Sequence, residues 1–214
     1  MILTDRFVWF HIGKTAGKAT IRLFKYVFGE IGEHYEQLKY HQILTSDDPM
    51  VKGKLLVSNI RQLPAWYLSY AQHRRVIDNV PIPPTNCFIE GDYKNWFYGG
   101  IGYDMTEHTT DAHDIHVPFW TLADSYLKHM RLLGEHFHWI RAEYYSEDAL
   151  NFLKKLYSID EGLEKRVRDN FVVKEELEYN HNIRDFFTDE QINMMHINNP
   201  LWTEVERLCY GGLT

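Results

Sequence analysis

Apolar and polar positions along this chain switch between two periods, and each switch marks an element. Arg6 to Ile12 (RFVWFHI) is a nearly unbroken apolar run of the length of a buried strand. From Thr15 the pattern changes. Ile21, Phe24 and Phe28 recur at three- and four-residue steps, the inner stripe of a helix that should fade near Gly29 or Gly32. Lys54 to Ile60 (KLLVSNI) is a second short apolar run, entered through Gly53 and left through Arg61 and Gln62. Pro64 then stands where a helix begins, and AWYLSYAQHRRVI continues it.

Val80 to Asn86 (VPIPPTN) excludes a helix, and Tyr93 to Pro118 is the least regular stretch of the chain. Phe119 to Leu133 reads as helical, and His136 to Tyr145 (HFHWIRAEYY) as a strand with its exit. Ser146 and the acidic residues after it predict a helix start, with Leu150, Leu153, Leu156 and Tyr157 on one face. Asp189 to Leu208 predicts a last helical region, broken near Pro200. Strands alternating with helices predict an α/β fold, a central parallel sheet with helices on both faces. No repeat or long linker divides the chain, so one domain over residues 1–214 is expected.

Composition narrows the function. Six Trp, fourteen Tyr and twelve Phe supply bulky core candidates, and 214 residues suffice for a substantial core. A formal net charge of −7 argues against nucleic acid as a partner, because backbone binding needs a basic face. It does not exclude a small anion held by a local cluster of cations and helix amides. Cys87 and Cys209 stand far apart and define no disulfide framework, which points to a reduced, cytoplasmic setting. The first apolar run is short and contains His11, so neither a signal peptide nor a membrane span is expected.

The candidate chemistry lies between the first strand and the first helix. Gly13 and Gly17 are separated by three residues and Lys18 is followed by Ala19. The loop is therefore one residue short of the nucleotide-hydrolase template G-x-x-x-x-G-K-[ST] and lacks its magnesium-binding hydroxyl. An anion site is still physically sensible. Small residues admit a close backbone approach, and the N–H groups of the helix starting near Thr15 point at the loop. Lys14 and Lys18 add charge, and Thr15 and Thr20 add hydroxyls. The plain alternative is a strand-to-helix turn with solvated lysines.

HIGKTAG, His11 to Gly17, resembles the 5′-phosphosulfate loop of the sulfotransferases that use 3′-phosphoadenosine-5′-phosphosulfate (PAPS), and most of all the H-I-P-K-T-[AG]-G-T-S form of glycan-modifying members. The resemblance implies a P-loop nucleotide-hydrolase-like fold. It implies that Lys14 contacts the oxygen bridging phosphate and sulfate, and that Thr15, Ala16 and Gly17 wrap the 5′-phosphate. Gly13 replaces Pro, Lys18 replaces Thr and Ala19 replaces Ser, so two hydroxyls are lost and one cation is gained. Lys18, Ala19 and Thr20 complete the implied 5′ contacts, with Lys18 and Thr20 supplying what the replaced residues would.

A second signature of the same family is an Arg ending a strand, a following Pro, and a helical Ser eight residues after the Arg. VSNIRQLPAWYLSY is similar, with Arg61 and Ser69 at that spacing, Pro64 one residue late, and Trp66 where a second Arg is common. The resemblance implies that Arg61 and Ser69 bind the 3′-phosphate. Arg at a strand's carboxyl end also suits that task on physical grounds, since its planar fork fits phosphate. WIRAEYYSEDALNFLKKL and the terminal FFTDEQINMMHINNPLWTEVERLCYG are similar, less specifically, to the family's later strand-helix segment and last helices.

The implied activity is sulfuryl transfer to a hydroxyl acceptor, a small molecule or glycan, with no metal required and no nucleic-acid or membrane partner. The acceptor needs a base, for which His41 is the candidate and His34 the substitute. His11 is read as structural. EHTTDAHDIH, with His108, His113, His116, Asp111 and Asp114, lacks ordinary metal-ligand spacing, and a polar loop is expected there. NWFYGGIGY, Asn95 to Tyr103, is expected to pack rather than to stack on a sugar or adenine. Two other functions fit the pattern: an ATP-dependent small-molecule kinase with an irregular loop, and a nucleotide-binding module of the same fold without activity.

Overall fold

The structure is a computed structural model that describes residues 1–38, 48–78, 122–129, 137–171 and 181–213. His41, the His/Asp-rich stretch, the aromatic stretch around Tyr98 and the proline-rich loop lie outside the described residues. The chain is α/β and divides into two compact units, Met1–Arg61 with Gly134–Glu176, and Gln62–Leu133 with Leu177–Thr214.

Among the described residues the first unit holds a five-stranded sheet: β1 (Ile2–Leu3), β2 (Phe7–Phe10), β3 (Glu36–Gln37), β4 (Leu55–Ile60) and β5 (Phe137–Arg141), in the order β3-β1-β2-β4-β5. β2, β4 and β5 are parallel, with Trp9 beside Val57 and Val57 beside His138. β1 runs antiparallel to both β2 and β3, so the sheet is mixed and the expected purely parallel sheet is corrected. The reason is the connection. Only Thr4, Asp5 and Arg6 join β1 to β2, far too few residues for a parallel crossover. The Thr4 hydroxyl closes that turn, donating to the Phe7 carbonyl and accepting from the N–H groups of Arg6 and Phe7.

Three helices pack on one face of this sheet: α1 (Gly17–Ile31), α4 (Tyr145–Lys154) and α5 (Glu161–Asn170). Alternation in β2 turns Phe7 and Trp9 toward them, and the ring of Phe7 meets Phe24 at 5.6 Å and Phe152 at 5.0 Å. The stripe Ile21, Phe24 and Phe28 is buried as its spacing predicts. Of the two glycines expected to stop α1, Gly32 does so. It takes the left-handed conformation, φ 69°, and its N–H caps the Phe28 carbonyl. α4 stops at Lys154, so Leu156 and Tyr157 fall in the turn beyond it rather than on its last face. Asp160 caps the start of α5, its carboxylate accepting from the Leu163 N–H at 2.7 Å.

The second unit holds α2 (Leu63–Asp78), α3 (Leu122–His129), α6 (Asp189–Asn198) and α7 (Pro200–Tyr210). The break between α6 and α7 falls at Asn199–Pro200, as the sequence predicts. Trp66 and Trp202 pack at 5.0 Å in its core. Asp124 of α3 caps α7, accepting from Leu201 and Trp202 N–H groups, while Asn199 Oδ1 accepts from the Asp124 N–H. Burial pushes the Asp124 carboxyl up, against the pull of those two N–H groups. Among the described residues no helix is long and apolar enough to cross a membrane.

Candidate functional site

β2 ends at Phe10, α1 begins at Gly17, and the six residues between them form the candidate anion loop. Lys14 and Ala16 are left-handed, φ 65° and 63°, whereas Gly13 and Gly17 are not. A residue of the other hand thus separates the two, and such alternation curls the backbone so that successive N–H groups face one concavity. A turn of that kind can hold an anion, and here its positive-φ residues are Lys14 and Ala16 and not Gly13 or Gly17. Two non-glycine residues in that region cost about 1–2 kcal/mol each, which the surrounding bonds must hold in place.

Those bonds are visible. The Thr15 hydroxyl, fully buried, donates to the Ile12 carbonyl at 2.7 Å. Ala16 occupies the cap position of α1 and has no side-chain acceptor, and no acidic residue sits in the first turn. An anion there would meet the positive end of the helix without a competing carboxylate from that turn. Lys18 is exposed and Ala19 half-buried on the same turn.

Gly17 is required by His11. A Cβ on Gly17 would stand 1.9 Å from His11 Cδ2 and 2.2 Å from Nε2. The His11 imidazole thus packs directly against Gly17. Gly17→Ala should lower the stability by about 1–3 kcal/mol and weaken anion binding. Trimming the imidazole in the double variant Gly17→Ala/His11→Ala should restore part of both. Urea denaturation of the two variants checks this, and an undisturbed single variant would refute the contact.

Thr20 behaves differently from the expectation of a ligand hydroxyl. It is fully buried, donates to the Ala16 carbonyl at 3.2 Å and accepts from Asn59 Nδ2 at 2.9 Å. Asn59 Oδ1 in turn accepts from the Trp9 indole N–H at 2.7 Å. Asn59 ties β2, β4 and the first turn of α1 together from a fully buried position. Sequence reasoning passed over it, although a polar Ser-Asn pair inside an apolar strand was the available signal. Ser58 is the other half: its hydroxyl donates to the Phe10 carbonyl at 3.0 Å, beside the start of the loop.

Arg61 follows β4 directly, so it leaves the sheet at the same end as the loop that follows the neighbouring parallel strand β2. Ligands of α/β sheets gather at these carboxyl ends. Its Nε lies 3.6 Å from Glu143 Oε1, a residue of the 3-10 turn Ala142–Tyr144 that follows β5. Arg141, which ends β5, is held quite differently. Its Nε and Nη2 both donate to Asp148 at 2.8 Å, and its guanidinium lies over the Tyr144 ring at 4.5 Å.

Ser69 lies on α2, in the second unit, and is buried, unlike the solvent-facing helix position its type suggests. His34 is exposed just beyond the end of α1. Fifteen residues of helix span about 22 Å, so His34 sits at the end of α1 remote from the loop. It is thus far from the loop where the resemblance puts the chemistry, and His41 lies outside the described residues. Among the described residues no group of three or more His, Cys, Asp or Glu is arranged to hold a metal ion. No protein-family model, curated protein or solved structure matches this chain.

Proposed function

We propose that the first unit is a phosphate-binding α/β module of the P-loop type, and that its ligand is a nucleotide carrying phosphates at both ends of its ribose. More specifically, the chain is proposed to be a PAPS-dependent sulfotransferase acting on a hydroxyl acceptor, a saccharide being one candidate. The observation that carries this reading is the alternating-handed loop with Lys14, joined at the same sheet end by Arg61. Lys14 with the N–H groups of residues 15–18 would hold the 5′-phosphosulfate, and Arg61 the 3′-phosphate. The resemblance of both segments to the family's two phosphate signatures supports the assignment.

The chemistry is an in-line displacement like phosphoryl transfer. The acceptor oxygen forms a bond to sulfur as the sulfur–oxygen bond to the 5′-phosphate breaks. The acceptor's proton passes to a base, His41 in this proposal, and 3′,5′-adenosine bisphosphate leaves. Charge grows on the departing phosphate oxygen, where the Lys14 ammonium and the loop N–H groups would stabilise it.

Calorimetric titration with 3′,5′-adenosine bisphosphate and with ATP, each with and without magnesium, tests the reading. Tighter binding of the bisphosphate, independent of magnesium, supports it; tighter magnesium-dependent binding of ATP identifies a kinase instead. Arg61→Ala should weaken the bisphosphate by about tenfold or more, the size of a charge-assisted phosphate contact. Affinity equal to the parent would contradict the role given to Arg61. Bisphosphate binding without sulfuryl transfer to any acceptor identifies the inactive binding module.

A further inference from the structure

Two arginines stand at the carboxyl ends of adjacent parallel strands, each beside a carboxylate. Arg141 is locked: two 2.8 Å bonds to Asp148 and a third from its own backbone N–H at 2.9 Å hold it to the start of α4. Arg61 meets Glu143 at 3.6 Å, beyond hydrogen-bond length, with the two side chains 23% and 30% exposed. The position of this pair is what matters, because it places a carboxylate beside the very cation assigned to a phosphate.

We propose that Glu143 is a resident counter-anion of Arg61, which the nucleotide's 3′-phosphate must displace, so that Glu143 sets how tightly the bisphosphate product is held and how fast it leaves. The inference rests on the sulfotransferase reading above, in which Arg61 grips the 3′-phosphate. The carboxylate carries a single negative charge and contacts Nε at ion-pair range, whereas a phosphomonoester brings up to two charges and several acceptor oxygens. The phosphate therefore prevails, but its net gain is reduced by the attraction it replaces and by repulsion from the displaced carboxylate. Removing the charge at position 143 takes away this competitor for the guanidinium.

The test is Glu143→Gln, with calorimetry and stopped-flow dissociation of 3′,5′-adenosine bisphosphate and of 5′-AMP, which lacks the 3′-phosphate. The expected result is bisphosphate binding tightened about two- to fivefold, with dissociation slowed to match, and 5′-AMP unchanged. In an Arg61→Ala background the same substitution should have no effect. A merely structural role would loosen binding and could not produce a gain confined to the 3′-phosphate. Weaker or unchanged bisphosphate binding in Glu143→Gln, where Arg61→Ala still weakens it, overturns the counter-anion and leaves the sulfotransferase reading standing. If Arg61→Ala leaves bisphosphate affinity at the parent value, the 3′-phosphate grip itself fails and the counter-anion falls with it.

Discussion

Replacing Lys14 with alanine should slow the proposed sulfuryl transfer by about 10²–10³-fold while changing the affinity for 3′,5′-adenosine bisphosphate by less than about tenfold. The asymmetry follows from where the charge develops. The ammonium is assigned to the oxygen that becomes negative only as the sulfur departs, so its contribution is larger in the transition state than in the bound nucleotide. Single-turnover release of the bisphosphate from PAPS, with water or an added alcohol as acceptor, measures the first quantity, and calorimetry the second. Unchanged turnover would refute the assignment.

The backbone offers a control that separates chemistry from folding. Lys14 is left-handed at φ 65°, a conformation that glycine adopts without strain. Lys14→Gly should therefore keep the thermal midpoint at or above that of Lys14→Ala, yet lose as much turnover. Were turnover instead to track stability across the two variants, the lysine would be a scaffold residue.

The largest effect on stability is expected at Asn59. Asn59→Leu keeps the branched shape of this fully buried side chain but strips the Trp9 indole N–H of its acceptor and Thr20 of its donor. A buried donor left unsatisfied costs about 1–3 kcal/mol, and loss of the second bond adds to it, so a total of about 2–3 kcal/mol is expected. Urea denaturation should show a lower midpoint with an unchanged slope. Because Thr20 stands in the first turn of α1, the same variant should weaken phosphate binding as well. A midpoint equal to that of the parent would show that Asn59 does not brace the loop.

The positions of most long elements were legible from periodicity alone. β2, α1, β4, α2 and the broken pair α6–α7 all lie where apolar spacing and punctuation put them. Less was legible where an element is short or scarcely apolar. β1 and β3 have two residues each, and the Glu36–Gln37 strand is exposed, so neither has a pattern to read. α5 buries only Leu163 and Val167, and its clearest signal is the Asp160 cap.

In the loop, the glycines drew attention to the right segment for an incomplete reason. Gly13 and Gly17 suggest unusual backbone, yet the left-handed positions are Lys14 and Ala16, and Gly17 is small because His11 occupies the space of a Cβ. No residue type announces such an arrangement, since lysine and alanine ordinarily avoid that region.

What the sequence determined by itself is the local part: which segments bury a stripe or a face, where α1 stops, and that a small-residue turn carrying Lys14 lies between a strand and a helix. Those follow from interactions within a few residues, which spacing records directly. Only the tertiary structure decided that β1 runs antiparallel, that Thr20 is held by Asn59, and that Glu143 faces Arg61. Each depends on which strands lie side by side. That choice is made by closing backbone hydrogen bonds and burying a shared core across distant stretches of chain, which no local pattern encodes.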